Sequence, residues 1–73
     1  MKKLDLHGIA HSLADEATRR FLNFVDLPCE IVTGNSTKMK KLVSAVVREY
    51  DWFCHEKDAF NAGSLIVTEE DQS

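Results

Sequence analysis

Apolar positions follow two rhythms along the 73-residue chain, a period of two in short runs and a helical spacing in two longer ones. At the front, Leu4 and Leu6 alternate with Asp5 and His7 before Gly8. This predicts a strand with the leucines facing a core and the acid and imidazole together on the other face. Ser12 and Asp15 have the spacing of a capping box, and Leu13, Ala17, Phe21, Phe24 and Val25 recur at helical spacing. A helix is expected from about Ser12 to Val25, with Asp15 and Glu16 in its first turn and Asp15/Arg19 and Glu16/Arg20 paired on its wet side; Pro28 prevents its continuation. Cys29-Glu30-Ile31-Val32-Thr33 reads as a second strand running into Gly34. After the tight turn Gly34-Asn35-Ser36-Thr37, the residues Met39, Leu42, Val43, Val46, Val47 and Tyr50 mark a second amphipathic helix. Trp52-Phe53-Cys54-His55 and Ser64-Leu65-Ile66-Val67-Thr68 complete the pattern as two strands. The turn signal Asn61-Ala62-Gly63 between them predicts a hairpin.

The order is therefore β-α-β-α-β-β. It predicts an α/β (α+β) two-layer sandwich with one mixed sheet and both helices on one face. The length fits a single domain spanning residues 1–73, and the acidic tail at 69–73 is expected to fray. An apolar share of 44% with 29% charged residues excludes a disordered chain.

A net charge of −3 works against general nucleic-acid binding, which draws on Lys and Arg. The charge is uneven, however. Glu56, Asp58, Glu69, Glu70 and Asp71 crowd the C-terminal part, whereas Lys38, Lys40 and Lys41 cluster after Gly34 and leave a local basic edge. No apolar run is long enough to span a bilayer and the start has no signal-peptide core, so a cytoplasmic protein without a membrane partner is expected. Cys29 and Cys54 sit singly in apolar company and read as buried thiols. With no close ligand pair, a zinc site drawn from Cys29, Cys54, His55 and His7 is not expected.

Two strands joined by a helix should run parallel, which brings His7-Gly8 and Thr33-Gly34 to one edge of the sheet, where open α/β sheets bind ligands. The hairpin segment Asn61-Ala62-Gly63-Ser64 should turn at the same edge. Gly34 permits close approach of a ligand, and the helix that follows opens with free N–H groups and a positive dipole end suited to phosphate. Lys38, Lys40 and Lys41 add cationic charge nearby. Taken alone, Gly34-Asn35-Ser36-Thr37 reads as a strand-to-helix turn with a Ser or Thr cap, and it is the convergence of the three segments that points to a site.

Leu4-Asp5-Leu6-His7-Gly8, Glu16-Ala17 in the first helix, Thr33-Gly34-Asn35-Ser36 and the glycine-containing final hairpin together resemble the small MutS-related (Smr) domain family. The match runs from Leu4 to Val67 in the family's order. The resemblance implies the β-α-β-α-β-β sandwich also seen in the C-terminal domain of a translation initiation factor. It also implies the family's activities: nicking DNA endonucleases, and endoribonucleases that cut messenger RNA at stalled, collided ribosomes. It assigns functional roles to Asp5, His7 and Gly8 from the first motif and to Thr33 and Gly34 from the second. The chain departs from the pattern at Ser36, where the family has the second glycine of Thr-Gly-x-Gly, and at Lys38-Met39, where His-Ser often follows. Ser36 is expected either to narrow a phosphate cradle or to serve as donor or helix cap. With three residues ahead of the motif, a minimal member lacking the N-terminal extension of larger Smr proteins is expected.

The leading functional expectation is an endonuclease that cuts RNA, or nicks DNA, with Asp5 and His7 as catalytic residues. Gly8, Thr33, Gly34, Asn35, Ser36, Lys38, Lys40, Lys41, Asn61 and Gly63 would contact phosphate or nucleic acid. Histidine as a residue type exchanges its proton near neutral pH. It is therefore suited to take the proton of an RNA 2′-hydroxyl or to protonate the leaving 5′-oxygen, with Asp5 orienting it or taking the complementary proton. RNA cleavage of this kind needs no cofactor. DNA lacks that hydroxyl and would call for a water nucleophile with a divalent ion, magnesium or manganese. The alternative is a non-catalytic module binding nucleic acid, the ribosome or a protein partner, and a third reading is a regulator occupying a partner's Smr site. A monomer or weak homodimer is expected, pairing through a strand-three or strand-four edge.

Overall fold

The chain folds in the order β1 (Lys3–Asp5), α1 (His11–Phe24), β2 (Cys29–Val32), α2 (Thr37–Glu49), β3 (Phe53–Glu56), β4 (Ser64–Thr68), as the hydrophobic pattern predicts. These elements come from a computed structural model that describes residues 1–58, 60 and 62–70. The sheet order is β1-β2-β4-β3, with β1 parallel to β2 and the other pairs antiparallel, and both helices lie on one face. Since β4 lies between β2 and β3, the edges are β1 and β3; the expected strand-four edge does not exist, because the hairpin folds back into the sheet beside β2.

The core follows strand alternation. Leu4 pairs with Ile31, Ile31 with Leu65, and Cys29 with Val67, so one face of three strands meets Ala14, Leu22, Met39, Val43, Val46 and Val47 from the helices. Cys29 is completely enclosed, and burial pushes its thiol up to about 11 because the thiolate would lose its hydration.

Helix α1 corrects several expectations. It begins at His11 with Ala10 in the N-cap position and no side-chain cap bond, so Ser12 lies inside the helix and the capping box does not form. The turn at Gly8 brings the chain into helical conformation too early for Ser12 to act as cap, and no acidic residue lies in the first turn. Asp15 instead takes Arg19 Nε at 2.6 Å, the ion pair read from the sequence. The fully buried stripe is Ala14, Thr18 and Leu22, with Ala17, Phe21 and Val25 packed beside it; Leu13 and Phe24 are 62% and 90% exposed. Thr18 is tolerated in the core because its hydroxyl donates to the Ala14 carbonyl at 2.7 Å. Arg19 and Tyr50 tie the helices together: Arg19 Nη2 reaches Glu49 at 2.7 Å, and Tyr50 Oη donates to Asn23 Oδ1 at 2.7 Å.

Helix α2 is capped by Ser36, whose Oγ accepts from Met39 N–H at 3.1 Å. It ends with Asp51 N–H on Arg48 and Trp52 N–H on Val47, the paired bonds of a Schellman motif, and Asp51 holds the left-handed position (φ 60°). Trp52 therefore belongs to the helix end, stacked on Tyr50 at 5.3 Å, and β3 starts one residue later than predicted.

Candidate functional site

β1 stops at Asp5. Leu6 N–H still bonds the Val32 carbonyl at 2.8 Å, but Ile9 N–H then bonds the Leu6 carbonyl at 3.0 Å, closing a four-residue turn with Gly8 (φ 79°) in its third place. His7 is thus a turn residue and does not continue the strand face of Asp5. The turn is required because the chain must leave the sheet and enter α1 within a few residues. The two side chains are linked differently from the expectation: Asp5 Oδ1 accepts the backbone N–H of His7 at 2.9 Å. Both residues are exposed at the sheet edge.

The imidazole of His7 stands beside Gly34. A Cβ built at Gly34 would stand 3.3 Å from His7 Cδ2, and Gly34 holds φ 69°, so glycine serves here for both space and conformation. Gly34 in turn leans on Gly63, where an added Cβ would meet the Gly34 backbone at 3.3–3.4 Å. The Gly63 carbonyl accepts the N–H of Thr33 at 2.8 Å and of Gly34 at 3.0 Å. The three predicted segments are therefore joined through His7, Gly34 and Gly63.

Thr33 is buried and corrects its expected role. Its hydroxyl donates to the Gly34 carbonyl at 2.9 Å with the Gly63 carbonyl at 3.3 Å, so it holds the loop together from within. With the N–H groups of Thr33, Gly34 and Met39 engaged, Thr37 and Lys38 supply the first-turn N–H groups that have no intrahelical partner. Asn35 is exposed on the loop, Gly8 has open space around its Cα, and Asn61 lies outside the described residues.

The lysine cluster divides. Lys40 Nζ approaches Glu56 on β3 at 3.7 Å, and Lys41 lines the outer side of α2 together with Arg48. Lys38, in the exposed first turn, carries no ion pair among the described residues and is the cation nearest in sequence to the loop.

Two residues of interest were not singled out by sequence reasoning. Glu30 lies on the helix-free face of the sheet, the face of Asp5, where it is nearly buried and its Oε1 is 3.4 Å from Lys57 Nζ. Its position between Cys29 and Ile31 in a period-two run was the available signal. His11 opens α1 with Nε2 enclosed and without a partner among the described residues, which no spacing in the sequence indicates. The described residues contain no group of three or more His, Cys, Asp or Glu placed to hold a metal ion, and no helix long and apolar enough to cross a membrane.

Comparison with protein-family models, curated proteins and solved structures returned no match. The chemistry of the edge is accordingly read from its own residues.

Proposed function

We propose that this protein is a cytoplasmic, Smr-like endonuclease that cuts RNA by acid/base chemistry at the edge formed by Asp5, His7, Gly34 and Gly63. The observation that carries this reading is the position of the His7 imidazole beside Gly34, a proton-exchanging ring next to a glycine loop at the start of α2. A phosphodiester lying over Gly34 would meet the open N–H groups of Thr37 and Lys38, the positive end of α2 and the Lys38 ammonium. In that pose His7 takes the 2′-hydroxyl proton, the 2′-oxygen bonds to phosphorus as the P–O5′ bond breaks, and the protonated His7 returns that proton to the leaving 5′-oxygen. The products are a 2′,3′-cyclic phosphate and a 5′-hydroxyl. Asp5 holds the turn by accepting the His7 backbone N–H.

The second reading, a non-catalytic module for nucleic acid or a ribosomal surface, is favoured by one feature. The Asp5 carboxylate is engaged with a backbone N–H, leaving the orientation of the imidazole to packing alone. Incubating the purified protein with single-stranded RNA, supercoiled DNA and stalled ribosomes, with and without magnesium or manganese, separates the readings. Cleavage of RNA without metal that falls by about a hundredfold in His7→Ala supports the nuclease. Saturable binding without cleavage supports the module, and neither binding nor cleavage rejects both.

A further inference from the structure

Three adjoining hollows border α2 and all touch Arg48, the first on the outer side of the helix and the other two between its C-terminal half and the start of β3. The first begins at Thr37 and Lys41, the second lies between Ser44, Val47, Phe53 and Cys54 with a volume of about 180 Å³, and the third opens beside Asp51 and Trp52. Eleven residues separate Thr37 from Arg48, about 16 Å along a helix, which is the span of about five residues of extended chain.

The second and third hollows reach the free edge of the sheet at Phe53 and Cys54. Lys57 N–H bonds the Ser64 carbonyl at 2.9 Å, and bonded and non-bonded pairs alternate along an antiparallel ladder. Phe53 and His55 therefore turn their backbone groups toward β4, and Cys54 and Glu56 turn theirs outward. Among the described residues no strand pairs with that outer edge. Phe53 is 45% exposed beside it. An uncovered strand edge with apolar flanks is a template for another strand.

The walls specify charge. In a chain of net charge −3, Lys40, Lys41 and Arg48 gather here. Lys40 is occupied by Glu56, whereas Lys41 and Arg48 carry no ion pair among the described residues and lie two helical turns apart, about 10 Å. Asp51 is the opposing charge in the lining.

We propose that the groove between α2 and β3 binds an extended acidic peptide of another protein, which adds to β3 as a fifth strand. One apolar side chain of the peptide occupies the hollow between Val47 and Phe53, and its carboxylates face Lys41 and Arg48. Only a polypeptide backbone reciprocates the outward N–H and C=O groups of Cys54 and Glu56, which distinguishes this occupant from a nucleic-acid strand. Two copies joined edge to edge would bring two cationic α2 flanks together, which argues against self-pairing. The site needs neither His7 nor the glycine loop, although Thr37 borders both it and the proposed phosphate position.

The test uses a fluorescein-labelled peptide Glu-Val-Glu-Leu-Glu-Val-Glu, its Lys-for-Glu counterpart, and the acidic peptide N-methylated at alternate residues. Binding is followed by anisotropy and by the amide shifts of Cys54 and Glu56. Saturable binding of the acidic peptide alone is expected, with movement of both amides, and with about tenfold weaker binding to a folded Arg48→Glu variant. Equal binding of the lysine or N-methylated peptides, unmoved β3 amides, or displacement of the peptide by oligouridylate would overturn the proposal. So would sedimentation showing β3 covered by a second copy in the peptide-free protein. The N-methylated arm uses the unaltered protein, so the outcome does not depend on the folding of the variant.

Discussion

The His7 imidazole stands beside the side-chain position that Gly34 leaves empty, where a Cβ would come 3.3 Å from His7 Cδ2. Gly34 thereby leaves room for the ring, and Gly63, whose carbonyl accepts the Gly34 N–H at 3.0 Å, ties the Gly34 backbone to the hairpin. A residue on the first turn of the fold thus stands beside a loop held by the last hairpin.

Gly34→Ala is expected to lower stability by about 1–2 kcal/mol, the cost of a left-handed backbone for an L side chain, and to push the imidazole aside. Gly8→Ala carries the same backbone cost, but its Cβ meets nothing within 4 Å. Thermal melts of the two variants should therefore agree while RNA cleavage falls further in Gly34→Ala. Equal cleavage by the two would show that the contact with His7 has no functional weight.

Asp5→Asn and Asp5→Ala separate structure from chemistry. Asparagine retains an oxygen for the His7 N–H, so Asp5→Asn should melt within a few tenths of a kcal/mol of the parent, whereas Asp5→Ala should lose about 1 kcal/mol. If the carboxylate charge serves the reaction, both variants cut about a hundredfold more slowly. Full activity in Asp5→Asn would leave Asp5 only the role of holding the turn.

Ser36 is a helix cap, so Ser36→Ala should cost about 1 kcal/mol of stability and Ser36→Gly only a few tenths. Glycine also releases the Met39 N–H from the hydroxyl that now occupies it, adding a donor toward any phosphate at the loop. Ser36→Gly should therefore bind RNA more tightly while melting slightly lower, measured by anisotropy and calorimetry on the same preparations. Weaker RNA binding by Ser36→Gly would mean that the hydroxyl itself is a ligand.

Cys29 gives a pH dependence of defined sign. Its thiol ionises near 9.0 when exposed and near 11 when buried, so the unfolded chain releases its proton first as pH rises. The contribution is complete below pH 9.0 and is lost toward pH 11, on the order of 1 kcal/mol per pH unit. In urea titrations across this range, the stability difference between the parent and Cys29→Ala should shrink; a constant difference would contradict the burial of the thiol.

Much of the architecture was legible locally. Period-two runs and helical spacing specify strands and helices because side-chain direction follows backbone geometry, so β4 and the core face of α2 were read directly from Ser64–Thr68 and from Met39 to Val47. The strong turn signals at Gly34 and Gly63 also located the ends of elements. Local pattern could not decide which of several plausible residues would be enclosed. Leu13 and Thr18 are assigned by the angle at which α1 lands on the sheet, which depends on the Gly8 turn and on α2. Nor could it show that Thr33 would spend its hydroxyl on the Gly34–Gly63 loop, which only the packing selects, whereas the Asp15–Arg19 pair follows from helical spacing alone and was legible. Composition and periodicity alone determined the elements and their order. The convergence of the three loops followed from the expected topology, but the close approach of His7 and Gly63 to Gly34, and the choice of β3 over β4 as the sheet edge, came from tertiary structure, because contacts between residues distant in sequence are set by how whole elements pack.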